Sequence, residues 1–182
     1  MKVSDVIKNC FVKLGYGVVN VTDESLTDDK KRLVDILLLC VENVHSEVIS
    51  TYFPNIVTEK VTLVDGKVEY SALKNHKIVY PVSLKRGGET RKIRAFPTYI
   101  ESDFSGDATL EFCALLPEYT LSTELSGTVP CWLLSEGVVS EYAYATNMLD
   151  VGASAEKKFR EGLSELKTHF GAGRYVRPRR WA

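Results

Sequence analysis

The feature that most constrains the fold is a change of hydrophobic period in mid-chain. Between Ile56 and Leu116 apolar residues recur at every second position and Val, Thr, Tyr and Ile predominate, whereas on either side they recur at helical spacing. A segment of period two enclosed by two segments of period 3.6 predicts an α+β protein. It has a mainly α-helical core of about four helices, an inserted small antiparallel β-sheet and an extended C-terminal arm. The boundaries read as 1–55 and 118–170 for the two halves of the helical core, 56–117 for the insertion and 171–182 for the arm.

In the first half, Ser4 reads as the cap of a short amphipathic helix carrying Val6, Ile7, Cys10, Phe11 and Leu14, with Gly15 as its stop. Thr27 caps a longer helix whose first turn holds Asp28 and Asp29, the charge that a helix N-terminus favours. Leu33, Ile36, Leu37, Cys40, Val41, Val44 and Val48 form one face of it, and Val34, Leu38, Leu39 and Ile49 widen that face. So broad an apolar surface predicts cover on more than one side, by the rest of the domain or by a neighbouring subunit. Pro54 ends the helical pattern.

Within the insertion, Asp65-Gly66 predicts a type I′ hairpin joining strands over 57–64 and 67–70. Strands over 77–84 and 90–96 flank Gly87-Gly88, and 108–116 adds another after Ser105-Gly106-Asp107, giving four to six strands. Helical spacing returns at Pro130, with Leu134, Val138, Tyr142, Ala145 and Leu149 on one side and small residues Ser135, Gly137, Ser140 and Ala143 that would admit a close neighbour. A last helix is predicted from near Ser154, with Phe159, Leu163, Leu166 and Phe170 inward, until Gly171.

The sequence offers little catalytic chemistry. It contains no nucleophile elbow, P-loop or dinucleotide-binding fingerprint, and its glycine pairs at 15/17 and 87/88 sit in turns. His45, His76 and His169 lack a second ligand at metal spacing, which predicts structural or solvent roles and no metal or cofactor. Glu136 with Glu141, or Asp23 with Glu24, could form an acid/base pair, but solvated carboxylates are the commoner reading. Cys10, Cys40, Cys113 and Cys131 have neither CxxC nor knuckle spacing and read as free thiols suited to a reducing cytosol. No apolar run reaches membrane-spanning length, and the acid and amide near the start of the chain interrupt any secretory apolar stretch.

Two basic segments remain. Lys85, Arg86, Arg91, Lys92 and Arg94 lie in one hairpin with a single acid, Glu89, and could meet phosphates or simply blunt a sheet edge. The arm, GAGRYVRPRRWA, holds Arg174, Tyr175, Arg177, Arg179, Arg180 and Trp181 with no acid, in a chain of net charge −1. Arginine with aromatics is the composition of interface anchors, Pro178 reduces the entropy lost on docking, and twelve extended residues reach up to about 40 Å.

The whole layout resembles the head-to-tail adaptor family of tailed bacteriophages, the connector or tail tubular protein A-like proteins. The resemblance rests on 129–166 (VPCWLLSEGVVSEYAYATNMLDVGASAEKKFREGLSEL), on VDGKVEYSAL at 64–73 and on the final RPRRWA. It implies a structural virion protein in the neck of the particle, assembled in the host cytoplasm. It also implies a homo-oligomeric ring, expected to be a 12-mer, with a channel for passage of double-stranded DNA. The arm residues Arg174, Tyr175, Arg177, Arg179, Arg180 and Trp181 would dock on the portal protein. The hairpin residues Lys85, Arg86, Arg91, Lys92 and Arg94 would contact DNA in the channel or a tail or nozzle protein. A near-neutral chain suits a channel that must not grip the duplex. The alternative is a small nucleic-acid-binding module using the 85–94 hairpin and the basic C-terminus.

Overall fold

The computed structural model describes residues 1–171 apart from Glu24, Asn75, His76 and Ser126. Four helices and seven antiparallel strands make an α+β fold. The chain divides into two compact units, Met1–His45 with Tyr119–Ala182, and Ser46–Glu118.

The helical unit contains α1 (Val3–Lys13), α2 (Asp28–Glu47, whose last two residues belong to the second unit), α3 (Cys131–Ala145) and α4 (Leu149–Gly171). Helix α1 begins two residues earlier than Ser4 as its cap would place it. Lys2 is its cap residue, its amide bonded to the Asp5 carboxylate at 3.1 Å, while Ser4 is buried inside the first turn. Helix α3 is buried on almost every side from Leu133 to Ser140, and the small residues explain how. A Cβ placed on Gly137 would lie 2.7 Å from a Val44 methyl and 2.9 Å from the Phe159 ring; one on Gly162 would lie 2.6 Å from Leu133. The contacts of Gly137 with Phe159 and of Leu133 with Gly162 set α3 antiparallel to α4.

Gly137→Ala is therefore expected to destabilise the helical unit by about 1–3 kcal/mol through overpacking, even though alanine is the better helix former. Urea denaturation measures this. An unchanged midpoint would mean that α2 and α4 do not close on α3 at this point.

The turn between α3 and α4 corrects the sequence reading. The apolar spacing runs through Met148 and Leu149 without a break, yet α3 stops at Ala145 and Asn147 adopts a left-handed conformation, φ 62°. Leu149 then opens α4, five residues before Ser154, with Asp150 in its first turn. Phe159 and Leu163 are buried as expected and Leu166 is half-buried.

The second unit opens with a five-residue π-helical turn, Val48–Tyr52. Its strands are β1 (Ile56–Leu63), β2 (Lys67–Glu69), β3 (Lys77–Arg86), β4 (Glu89–Arg91), β5 (Ile93–Ala95), β6 (Tyr99–Ser102) and β7 (Gly106–Leu115). They form two sheets, β1-β7-β3-β4 and β2-β6-β5, in place of the single sheet expected. Asp65 and Gly66 do take the positive φ angles of a type I′ turn, 51° and 74°. The hairpin is only one bridge long, Val64 to Lys67, because β2 leaves β1 to pair with β6. The run over 90–96 is likewise split at Lys92, β4 staying with β3 and β5 joining the other sheet.

One core serves both sheets. Alternation along β7 turns Ala108, Leu110 and Phe112 inward to meet Val61 and Leu63 of β1, Leu84 of β3, and Val68 and Ile100 of the smaller sheet. Register shifts on either side of Tyr80-Pro81 let β3 accommodate a proline, which brings no N–H to the ladder.

Candidate partner-binding surfaces

Three places bear on function: the basic hairpin, the outward faces of the helical unit, and the chain ends of that unit near its second half.

The basic hairpin comprises the end of β3, the Gly87-Gly88 turn and β4, continuing into β5. Its charges are largely answered within the fold. Lys85 forms an ion pair with Glu111 of β7, whose other carboxylate oxygen accepts from Ser83 at 2.7 Å. Those hydrogen bonds, Lys85 first, hold the Glu111 carboxyl below the usual carboxylate range. Arg91 pairs with Glu89 at 2.8 Å and Arg94 lies 3.9 Å from Glu101. Arg86 stacks over the Phe104 ring at 4.9 Å, and Lys92 is exposed between β4 and β5. A phosphate would have to displace acids already in place, so the hairpin is a weaker DNA-binding element than its composition alone suggests. The partners escape sequence reading because Glu111 and Glu101 lie 26 and seven positions away from their cations on other strands.

The helical unit presents apolar side chains to solvent. Ile36 and Leu39 of α2 are 43% and 63% exposed, against the expectation that Ile36 belongs to the buried face. At 100° per residue Leu39 lies opposite Leu37, Val41 and Val44. Helix α2 is therefore covered on one side only within its own unit. A groove of about 400 Å³ runs between α1, α3 and the start of α4, lined by Lys13, Glu136, Asp150, Ser154 and Lys158 among others. Glu136 is nearly buried there and is answered by Lys13 in an ion pair. Glu141 accepts a hydrogen bond from Asn43 at 3.1 Å, separately from Glu136. Asp23 is bonded to the Ser25 amide, which lowers its pKa, while Glu24 lies outside the described residues.

His45 is the more constrained of the two described histidines. It is 4% exposed, and its Nδ1 lies 2.8 Å from the Tyr119 hydroxyl. Burial lowers its pKa from 6.5 to about 4, so the ring is neutral at physiological pH. These two residues are also the last of the helical unit before the chain leaves it and the first after it returns. His169 is exposed near the end of α4, and His76 lies outside the described residues.

The four cysteines are free; Cys10, Cys40 and Cys113 are buried and Cys131 half-buried. Burial pushes the Cys10 thiol up to about 12 and Cys40 to about 11, which keeps both protonated and unreactive. No group of three His, Cys, Asp or Glu side chains capable of holding a metal occurs among the described residues, and no helix among them is long and apolar enough to cross a membrane. The arm residues Arg174, Tyr175, Arg177, Arg179, Arg180 and Trp181 lie outside the described residues. No protein-family model and no curated protein sequence matches the chain.

Proposed function

We propose that this chain is a subunit of the ring that joins the portal of a tailed bacteriophage to its tail, lining a channel for DNA and docking on the portal through its C-terminal arm. The observation that carries this reading is the layout. A bundle of four helices is interrupted between α2 and α3 by a β unit that leaves at residue 46 and returns at 118, and an arginine- and aromatic-rich arm follows α4 directly.

Two further observations support it. The exposed apolar residues of α2 and of the α3–α4 corner, Tyr144, Met148, Leu149 and Val151, give a subunit more sticky surface than a monomer needs. A cyclic ring requires two different patches on each subunit, and repeated contacts let modest patches suffice. The internally paired hairpin suits a channel wall that lets DNA slide. It weighs against the alternative, a nucleic-acid-binding module, for which the cations should be free to release counterions.

Electron microscopy of the protein mixed with candidate portal rings tests the reading. A closed ring seated on the portal is the expected image. Monomers that bind duplex DNA with a steep salt dependence, and ignore the portal, would favour the alternative.

A further inference from the structure

Two patches of the helical unit complement each other and cannot meet within one chain. The first is a stripe on α2. Arg32, Ile36, Leu39 and Asn43 follow one another at spacings of four, three and four residues, so they fall on one line along the helix, and all four are exposed. Asp35, also exposed, flanks that line beside Ile36. The stripe therefore has two aliphatic side chains at its centre and one charge of each sign at its N-terminal end.

The second patch is the groove of about 400 Å³ between α1, α3 and the start of α4. Val139 and Ala155, both buried, form its apolar floor, and Val151 stands at its rim. Lys13 and Glu136 answer each other inside it. Asp150 and Lys158 of α4 line it as well, and among the described residues neither has an ion-pair partner. The same holds for Arg32 and Asp35. Each patch thus joins a short apolar centre to one uncommitted cation and one uncommitted anion, and opposite signs meet when Asp35 faces Lys158 and Arg32 faces Asp150.

The two patches lie on opposite flanks of α3. Val44 of α2 packs at Gly137, and Asn43 of α2 donates to Glu141 at 3.1 Å, which fixes the side of α3 that α2 occupies. At 100° per residue, Glu136 and Val139, which face the groove, lie roughly 100–160° around α3 from those two positions. A chain cannot fold its own stripe into its own groove. A second copy can supply it, and because stripe and groove are different surfaces, each copy keeps one of them open for a further neighbour. Two stripes facing each other would instead close as a dimer.

We infer that the stripe of one copy seats in the groove of the next, with Ile36 and Leu39 against Val139, Val151 and Ala155, Asp35 beside Lys158 and Arg32 beside Asp150. The inference rests on the ring reading for its occupant, a second copy of this chain, and adds which surfaces meet. The contact is small, so a ring that repeats it gains more than an isolated pair does.

Sedimentation velocity of the full chain tests the contact. The parent is expected to form species larger than a dimer as its concentration rises. Leu39→Glu disables the stripe and Val151→Glu the groove, both at exposed positions, and each protein should be monomeric with its helical circular dichroism retained. Mixed, the two should give a heterodimer and nothing larger, since the stripe of the second still fits the groove of the first. Asp35→Lys and Lys158→Asp leave the apolar positions alone and decide the matter if either of the first pair fails to fold. Each should weaken association about tenfold, and the chain carrying both should recover it. A parent that stays monomeric, a mixture that stays monomeric, or a Val151→Glu protein that dimerises by itself would each overturn the inference, the last by showing stripe against stripe. Rings that close on portals with Leu39→Glu and Val151→Glu both in place would remove this contact and leave the portal reading standing. Association that obeys these substitutions in a protein that ignores portals would keep the contact and remove that reading.

Discussion

Deleting residues 171–182 is expected to abolish attachment to portal rings while leaving the melting behaviour of the remaining chain almost unchanged. The two halves of that expectation rest on different links. The fold should survive because the inward residues of α4, Phe159 and Leu163, are packed well before the cut, and because both units have their own buried cores. Attachment should fail because the arm concentrates the residue types that dominate interface energetics, two aromatics and four arginines, in a segment stiffened by Pro178. A ring multiplies the effect. If each arm contributes only about 2 kcal/mol per subunit, losing all of them together would remove the avidity that the proposed ring needs to stay on the portal. Trp181→Ala alone should weaken attachment by at least tenfold, and replacing Arg179 and Arg180 should slow association more than it hastens release, an effect that fades as salt screens it. Sedimentation of truncated protein with isolated portal rings is the measurement. Co-sedimentation equal to that of the full chain would remove the portal-docking role of the arm.

The course of the chain was largely legible because the switch from helical to alternating period is a property of local sequence. What was lost depends on partners distant in sequence. The α3–α4 turn escaped because Met148 and Leu149 continue the apolar spacing, and only Asn147, a residue that tolerates the left-handed region, betrays the break. Strand β6 escaped because it is four residues long, follows Pro97 closely and contributes a single fully buried side chain, Ile100. The breadth of apolar surface on α2 was plain, but which side lay open was not. Hydrophobicity alone cannot tell Ile36 from Leu37, and the answer comes from where α3 and α4 close on the helix. The acids that pair with the basic hairpin are hidden from sequence for the same reason, since Glu111 and Glu101 reach it across strands. For the candidate surfaces, then, sequence identified the residue types and the fold decided which were engaged.

The other large effect is expected at His45, where acid should weaken the helical unit. In the unfolded chain the imidazole titrates near 6.5; in the folded unit burial holds it down to about 4. Between these values the unfolded state binds a proton that the native state refuses, so stability is complete above pH 6.5, falls as the pH drops, and levels off below about 4. A depression of that size corresponds to about 3 kcal/mol, a large share of the 5–15 kcal/mol typical of a domain. Carboxylates titrate over part of the same range, so the useful quantity is a difference. His45→Gln keeps a polar group facing the Tyr119 hydroxyl and cannot ionise. Urea unfolding of both proteins from pH 7.5 to 4 should show the wild type losing about 3 kcal/mol relative to the variant, nearly all of it below pH 6.5. A difference that stays flat across the range would mean that the ring is solvated or protonated in the native state. Tyr119→Phe probes the same bond at neutral pH, where leaving Nδ1 buried without its 2.8 Å partner should cost about 1–3 kcal/mol. Because His45 and Tyr119 bracket the point where the chain leaves and re-enters the helical unit, both losses should appear first in the packing of α2, read by hydrogen exchange at Val41 and Val44, before the β unit responds.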